Sequence, residues 1–450
     1  MVKVDRTLYP LVLVSIQIIL IALASSFIAI DIVYTGNPYY FLLEEDYSQG
    51  IDIAYAVCIH RDVVYVVGST GYRMFIDGVS ISNGSRLFSW RSDWIGELYD
   101  CIIVNSSLFV VGVKKNDYGV NRWFIGLFDT ELNLVMWRES HDNGVALSIA
   151  YGYGYLYIAG YGSIVANNYS DIVWIVERVY RDDIYEYIYV VSNPSRGGDI
   201  ASAIEVNPVS GDIWVVGTNG GKRTWRIEVY NRDLVHISSR DLEVPNYPYS
   251  IVFNSLGNAY IAGTSHVAKI NRDLNIIEKI GIGGAIKKAT LYNDTHLVLV
   301  IQHSDEYGIQ NHYIYILDDD LDIVDTMCVT CGRNYSAYID RGRVALMGKE
   351  LYVAGYGARS SGRYLMNTFI IVYAVSIPED LRIIHKAISG DNVFNAIAIS
   401  LVLVVVAGLC FVVFRKKRSN NRKMGKRKSM KKKDKFVLMK MLKSGDSYEL

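Results

Sequence analysis

Trp214-Val215-Val216-Gly217 is a short apolar strand that ends on a glycine, and the chain repeats this phrase along its length. Consecutive copies end 44, 48, 57, 46, 38 and 54 residues apart. The copies end at Gly68, Gly112, Gly160, Gly217, Gly263, Ile301 (a degenerate copy) and Gly355. A period of about 40–50 residues is typical of the blades of a β-propeller, so the spacing predicts seven blades.

Each copy also has internal order. An apolar strand such as residues 200–204 precedes the glycine strand, and an aromatic-led strand such as residues 225–230 follows it. Residues 231–234 then form a polar turn into a fourth strand, because Asn and Asp tolerate tight-turn geometry. The predicted fold class is therefore all-β: a seven-bladed β-propeller with four antiparallel strands per blade, flanked by transmembrane helices. The last copy lacks a fourth strand, and we expect residues 39–43 to supply it and close the ring.

The phrase that runs from Asp199 to Gly217 resembles the β-propeller repeats of prokaryotic surface proteins. The resemblance covers residues 51–376 and implies the fold and an extracytoplasmic setting. It implies no catalytic residue, because these repeats have none in common. Only four glutamines stand among many Ile, Val and Tyr residues, a composition that favours a thermophile. We therefore expect an archaeal-like cell-surface protein with a C-terminal membrane anchor.

Two apolar runs flank the repeats. Residues 393–414 carry no charge over 22 positions, which as a helix would span the roughly 30 Å hydrocarbon core of a bilayer. Residues 11–33 are either a retained signal anchor or a signal peptide cleaved near Ala22-Leu23-Ala24, and both alternatives stay open. The predicted organisation is a short cytoplasmic N-terminus (1–9), a signal peptide or anchor (10–33), an extracytoplasmic propeller (38–381), a transmembrane helix (392–414) and a basic cytoplasmic tail (415–450).

The formal net charge of +0 hides a separation of charge along the chain. The tail after Phe414 holds 15 Lys and Arg residues against 3 acids, so the middle of the chain is acidic. Basic residues beside a span stay in the cytoplasm, and they attract anionic lipid by about 1 kcal/mol each. We expect Arg415, Lys416, Lys417 and Arg418 to contact anionic lipid, the alternative being that they only set orientation. The acidic propeller predicts no nucleic-acid partner.

Four of the five cysteines lie in the predicted propeller. Cys58 and Cys101 follow aligned tyrosines by three and two residues, and this offset turns the two sulfurs to opposite faces of their blades. Adjacent blades would need that arrangement for a bridge, so we favour a disulfide over two reduced core cysteines. Cys328 and Cys331 have the spacing of a redox pair or half a zinc site, but a small structural disulfide is favoured outside the cell.

Five glycosylation sequons lie in the section expected outside the cell, mostly in predicted turns. Their asparagines are Asn83, Asn105, Asn168, Asn293 and Asn334.

No catalytic, cofactor or metal motif is present. The eight histidines are scattered, and only His303 and His312 are candidates to share a face. Residues 318–322 are rich in aspartate but coincide with the repeated polar turn, which favours a turn over calcium. The recurring tryptophans of the third strand are interpreted as packing between blades rather than a sugar platform. We therefore predict no enzyme, no catalytic residue, no cofactor and no metal.

The leading hypothesis is a non-enzymatic binding or scaffolding module of the cell envelope, with the membrane and an envelope protein or glycan as partners. Long loops after Gly68, Gly160 and Gly355 would form one side of its rim. The alternatives are a quinoprotein- or glycosidase-like enzyme that uses the central channel, or a sensor that signals through the basic tail. The enzyme alternative predicts carboxylates or arginines clustered at the channel mouth.

Overall fold

The computed structural model describes residues 39–47, 51–166, 169–360 and 366–378, and the regular structure in these ranges consists of β-strands. None of these residues belongs to a helix long and apolar enough to cross a membrane. The apolar runs 10–33 and 392–414 and the tail 415–450 lie outside the described residues. The strands are β1 Tyr39–Glu45, β2 Asp52–His60, β3 Val63–Thr70, β4 Arg73–Ser80, β5 Arg86–Val104, β6 Ser107–Lys115, β7 Asn121–Phe128, β8 Leu134–Asp142, β9 Val145–Gly152, β10 Tyr155–Ala166, β11 Tyr169–Tyr180, β12 Asp183–Ser192, β13 Ile200–Val206, β14 Ile213–Asn219, β15 Thr224–Tyr230, β16 His236–Pro245, β17 Pro248–Phe253, β18 Ala259–Gly263, β19 His266–Ile270, β20 Ile276–Gly281, β21 Ala285–Tyr292, β22 His296–Ser304, β23 Gln310–Leu317, β24 Ile323–Cys328, β25 Ser336–Tyr338, β26 Ala345–Met347, β27 Glu350–Ser360 and β28 Met366–Ser376.

The repeated unit is an antiparallel sheet of four strands that resembles a propeller blade. Strands β9–β12, β13–β16, β17–β20 and β21–β24 form one such sheet each. Strands β2–β8 form a longer sheet, in which β5 ends one four-stranded group and begins the next. The first strand of each group contacts the first strand of the following group, and β2 contacts β26 and β27. The inner strands therefore surround a central channel.

The strand at the start of the described chain closes the ring, as the sequence predicted. β1 pairs antiparallel with β28, from Tyr39 opposite Val375 to Glu45 opposite Ile370. Leu42 and Leu43 are buried in the core that this last sheet shares with β2 and β3. The unpaired edge that an open ring would leave is thereby covered by the chain itself.

The repeated glycine has a local steric cause. The first strands β2, β5, β9, β13 and β17 carry a β-bulge next to the residue that pairs with the glycine of the second strand, and a carbonyl just before the bulge faces that glycine. A Cβ at Gly68 would lie 2.0 Å from the Ile53 oxygen, and one at Gly112 would lie 2.0 Å from the Glu97 oxygen. A Cβ at either glycine would require the backbone to move, and in the sixth copy, where Ile301 takes this position, the first strand is preceded by Gly284 with a φ of 93°.

The tryptophans that begin the third strands pack between neighbouring sheets, which confirms the interpretation from sequence. Trp123 and Trp174 are fully buried. Their rings lie over Gly160 and Gly217 of the following sheet, where a Cβ would approach within 2.9 Å and 2.6 Å. The Trp123 Nε1 also donates a hydrogen bond of 2.8 Å to the Tyr161 carbonyl. One residue type thus joins successive sheets by packing and by a backbone hydrogen bond.

The polar turns between third and fourth strands have one common geometry. In the four turns that begin at Asp129, Asn231, Asn271 and Asp318, the first side chain accepts hydrogen bonds from the amides two and four residues later, as Asp318 does from Asp320 and Asp322. A buried leucine lies four residues after the end of the third strand; Leu321, which follows β23, has a left-handed φ of 57°. The Asp-rich run is therefore a self-capped turn.

The loops differ in part from the sequence expectation. Gly160 and Gly355 are followed by long hairpins, β10–β11 and β27–β28. The expectation of a long loop after Gly68 is wrong, because β3 ends at Thr70 and β4 begins at Arg73. The additional residues of this repeat lie in β5, which belongs to two four-stranded groups of the longer sheet.

Candidate ligand-binding site

A short segment, residues 339–344, interrupts the inner strand of the last sheet between β25 and β26 and enters the channel. The Arg343 carbonyl accepts a 3.0 Å hydrogen bond from the Val57 amide. Gly342 has a φ of 109°, and a Cβ there would lie 2.6 Å from the carbonyl oxygens of both Tyr55 and Tyr99. Because only glycine combines this φ with this close approach, the position of the segment is set by its backbone. We call residues 339–344 the plug.

Arg343 of the plug forms two ion pairs and a hydrogen bond with residues of the inner strands. The Arg343 guanidinium lies 3.7 Å from the Asp100 carboxylate and 3.8 Å from the Glu205 carboxylate. It also donates a 2.6 Å hydrogen bond to the Ile149 carbonyl. Burial raises the pKa values of Asp100 and Glu205, although Arg343 opposes both shifts. The arginine therefore links three sheets through groups that are costly to leave unpaired.

Lys288 lies beside the plug and is buried. Its ammonium donates to the backbone carbonyls of Tyr55 and Ala354, which belong to the first and last sheets. Burial lowers the Lys288 pKa to about 7, while Asp340 and Asp100 oppose the shift. The Lys288 side chain therefore joins the first sheet to the last sheet by hydrogen bonds.

Tyrosines surround the mouth of the channel beside the plug. Tyr55, Tyr99 and Tyr249 are the bulge residues beside the repeated glycines of their sheets, so they lie at the same end of the ring. The Tyr55 and Tyr99 rings meet edge to face at 4.7 Å. Tyr338 and Tyr356 stack with their ring centroids 5.3 Å apart. Except for Tyr55, these rings are half-buried rather than core residues, which leaves part of each surface open to a ligand.

Four charged side chains stand among these rings. Glu97 accepts hydrogen bonds of 2.5 Å from the Tyr55 hydroxyl and 3.1 Å from the Tyr99 hydroxyl. Lys287 is the bulge residue of β21, and its ammonium lies 4.5 Å from the Tyr249 ring centroid. Asp340 and Arg341 come from the plug, and Arg341 lies 5.7 Å from the same centroid. We call this group the mouth cluster; its members are Tyr55, Glu97, Tyr99, Tyr161, Tyr249, Lys287, Tyr338, Asp340, Arg341 and Tyr356.

The phenols of the mouth cluster are held in their neutral form. Burial raises the Tyr55 pKa well above its ordinary value, and the Glu97 charge raises it further. The same two causes raise the Tyr99 pKa, while Arg341 opposes them. Burial and the Asp340 charge raise the Tyr356 pKa to about 12. These tyrosines can donate hydrogen bonds and offer ring faces, but they do not supply phenolate at neutral pH.

A cavity of about 70 Å³ lies along the inner strands next to Arg343. Its walls include Asp100, Glu205, Tyr249 and the hydroxyl side chains of Ser148, Ser202 and Ser250. The cavity is small and polar, and Tyr249 belongs both to it and to the mouth cluster. The channel beside the plug therefore offers hydrogen-bonding groups directly beneath the mouth.

The structure contains both cysteine pairs as disulfides. Cys58 and Cys101 bridge the inner strands β2 and β5, with their Cα atoms 6.2 Å apart. Cys328 and Cys331 bridge the end of β24 and the loop that follows, with a Cα distance of 5.7 Å. The first bridge joins the two four-stranded groups of the longer sheet that carry Tyr55 and Tyr99.

The sequon asparagines that the structure describes are all exposed. Asn83, Asn105 and Asn293 lie in turns at the end of the sheets opposite the mouth cluster, and Asn334 lies in the loop before β25. Asn168 lies outside the described residues, as do Arg415, Lys416, Lys417 and Arg418. Glycans on the first three would leave the mouth uncovered.

The two histidines considered for a metal do not share a face. His303 pairs with Asn311 and His312 with Gln302, so their side chains point to opposite sides of the sheet. His312 is buried against Gly355 of the next sheet, in the position that tryptophan has elsewhere. Within the described ranges, no group of three His, Cys, Asp or Glu side chains is placed to hold a metal ion.

Reasoning from the sequence missed the mouth cluster. One available signal was the recurrence of tyrosine 13 residues before Gly68 and Gly112, which we used only to align the cysteines. The other was Asp340-Arg341-Gly342-Arg343, a charged glycine turn within an otherwise apolar repeat. Neither reveals by itself that its side chains meet at the channel.

No protein-family model matches the chain, and no curated protein matches it. Solved structures similar to it include the WD40 domain of Pan2 from Neurospora crassa, at a TM-score of 0.51 and 8% identity over 75% of this chain and 95% of that one. Virginiamycin B lyase from Staphylococcus aureus, with quinupristin, has a TM-score of 0.49 and 11% identity over 75% of this chain and 100% of that one. At such identities the WD40 likeness shows a propeller-like fold and nothing about activity.

Proposed function

We propose that this protein is a membrane-anchored, seven-bladed β-propeller that acts outside the cytoplasm as a non-enzymatic binding module of an archaeal-like cell envelope. The count of seven treats β2–β8 as two blades that share β5, and the last sheet as a blade completed by β1. The mouth cluster is the proposed ligand site.

One observation carries the binding role. The mouth cluster brings half-buried tyrosine rings and charged groups from several sheets to one end of the channel, around a plug that occupies the channel itself. Open aromatic surface with a few convergent polar groups is typical of ligand sites. Tyrosine supplies contact area and a hydrogen bond at low entropy cost, which suits recognition.

The setting outside the cytoplasm rests on chemistry and on sequence. Disulfides persist in oxidising compartments, and the propeller carries two of them. The apolar run 393–414, followed by the basic run 415–418, supports an anchor with its tail in the cytoplasm and with anionic lipid as a contact. The exposed sequons suit the same side of the membrane.

A glycosidase-like enzyme is the second candidate, favoured by one specific observation. Glu97 accepts hydrogen bonds from two phenols, and the charges of Asp340 and Arg341 act on the same phenols, which is the clustering at the mouth that the enzyme hypothesis expected. The raised pKa values of Tyr55 and Tyr99 oppose their use as nucleophiles, because Glu97 stabilises the neutral phenols that donate to it. We therefore place binding ahead of catalysis.

The test is cross-linking in intact membranes that display the full chain, followed by recovery of bound protein and glycan. The Tyr99→Ala, Tyr356→Ala double variant should lose most of the recovered material. Tyr118→Ala is the matched control, because Tyr118 is 91% exposed in a turn and belongs to no cluster. Equal recovery from all three proteins, or recovery of lipid only, would contradict the proposal. Hydrolysis of aryl glycosides that is abolished by Glu97→Gln would favour the enzyme instead.

A further inference from the structure

The mouth cluster contains two cations that converge on one aromatic ring. The Lys287 ammonium and the Arg341 guanidinium lie 4.5 Å and 5.7 Å from the Tyr249 ring centroid. Lys287 forms no ion pair with any residue that the structure describes. Arg341 has one ion pair, with its neighbour Asp340 at 3.9 Å. This distance is too long for a hydrogen bond, so the guanidinium N–H groups are not used by Asp340.

Two like charges at one ring repel each other, and the ring face attracts each of them only weakly. An anion within reach of both side chains would relieve the repulsion and receive charge-assisted hydrogen bonds from both. The half-buried Tyr249 ring beside the two cations would meanwhile offer its remaining open surface to an apolar part of the ligand. This part of the mouth is therefore suited to a ligand that carries an anionic group on a flat, partly apolar ring.

The remaining members of the mouth cluster are suited to hydroxyl groups. Glu97 and Asp340 are acceptors, and the tyrosine hydroxyls and Ser250 are both donors and acceptors. Ser250 follows Tyr249 and lies in the wall of the cavity beneath it. A sugar supplies hydroxyl donors around a ring whose C–H face packs on an aromatic side chain. An acidic peptide would supply the anion but few hydroxyl donors for Glu97 and Asp340.

We infer that the mouth cluster binds an acidic sugar, with the carboxylate of a uronate held by Lys287 and Arg341 and the sugar ring packed on Tyr249. The hydroxyl groups of the sugar are bound by Glu97, Asp340 and the neighbouring phenols. This inference rests on the proposed binding function and names its ligand class.

The experiment measures binding to the full chain in detergent micelles by isothermal titration calorimetry. The probes are trigalacturonate, its neutral methyl ester, and the acidic peptide triglutamate. We expect trigalacturonate to bind most tightly. The Lys287→Gln, Arg341→Gln variant should lose about tenfold in affinity for trigalacturonate and leave the methyl ester unchanged, because the lost contacts are charge-assisted.

Two further variants make the result specific. Tyr249→Leu should weaken trigalacturonate and the methyl ester alike, since both use the ring. Lys115→Gln removes an exposed cation at the end of β6, outside the mouth cluster, and should change neither affinity. The expected trigalacturonate affinity should also fall as salt is raised.

Three outcomes would overturn the inference. If the methyl ester binds as tightly as trigalacturonate and loses affinity equally in every mouth variant, the site takes neutral sugars and the proposed binding function stands. If triglutamate binds as tightly and depends on the same cations, the ligand class is an acidic peptide. If no probe binds while cross-linking still depends on Tyr99 and Tyr356, the ligand class is wrong but the binding function is kept.

Discussion

Replacing Arg343 by methionine is the sharpest test of the plug. The substitution keeps side-chain length but removes the cation that lies 3.7 Å from Asp100 and 3.8 Å from Glu205. It also removes the donor to the Ile149 carbonyl. Breaking a buried ion pair by deleting one partner costs about 3–5 kcal/mol. We expect about 3 kcal/mol at neutral pH, because both ion pairs are longer than a charge-assisted hydrogen bond.

The loss of stability in Arg343→Met should be larger at neutral pH than at acidic pH. Burial raises the pKa values of Asp100 and Glu205, so both groups bind protons more tightly in the folded than in the unfolded chain. Their contribution to stability is therefore present at low pH and is lost as pH rises through the folded pKa values. Without Arg343 both pKa values rise further. The stability deficit of Arg343→Met should thus be largest at neutral pH and shrink toward pH 5.

The assay is thermal unfolding of the full chain in detergent, followed by circular dichroism between pH 5 and pH 8. For a domain of this size about 1 kcal/mol corresponds to about 2 °C, so the variant should melt about 6 °C lower at pH 7. Arg333→Met is the control, because its partner Glu44 is 29% exposed whereas the Asp100 side chain beside Arg343 is 4% exposed. A variant that melts with the parent at pH 7, or whose deficit is unchanged at pH 5, would refute the role given to Arg343.

Three further predictions concern the ring. Gly217→Ala should lower the free energy of unfolding by about 3 kcal/mol, because its Cβ would lie 2.1 Å from the Ile200 oxygen. Gly281→Ala is the control and should cost under about 0.5 kcal/mol, because its Cβ would come no closer than 3.9 Å to another residue. Equal denaturant midpoints would contradict the steric argument. Replacing Cys58 and Cys101 by serine should lower the free energy of unfolding by about 4 kcal/mol in reductant-free buffer, because a bridge across 43 residues restrains the unfolded chain of the parent. A melting temperature equal to that of the parent would argue against the bridge. Lys288 has a lowered pKa of about 7, so the folded chain binds fewer protons above that pH and its stability should rise with pH. Between pH 7 and 8.5 the parent should gain about 2 kcal/mol relative to Lys288→Met, and parallel stability profiles would count against a buried, titrating amine.

The repeated strands were predictable from the sequence because their causes are local. In six of the seven phrases the terminal glycine faces a carbonyl of the neighbouring strand in its own sheet, so the same requirement recurs from repeat to repeat. The polar turns cap their own amides in the same way. The closing strand was predictable as well, since an all-β ring with an incomplete last repeat has an edge to cover.

The mouth cluster was not predictable on the same grounds. Tyr55 and Tyr356 stand 301 positions apart in the chain, and both are influenced by Asp340 only because the ring brings the first and last sheets together. The plug carries no motif that separates it from an ordinary loop until Gly342 is seen between two carbonyls of other sheets.

By itself, the sequence determined the strands, their turns, their period and the separation of a basic tail from an acidic middle, because spacing, sterics and charge act between near neighbours. Only the tertiary structure decided which side chains meet at the channel and that residues 339–344 fill it. Contacts between inner strands depend on closure of the whole ring, and closure joins residues that no local pattern connects.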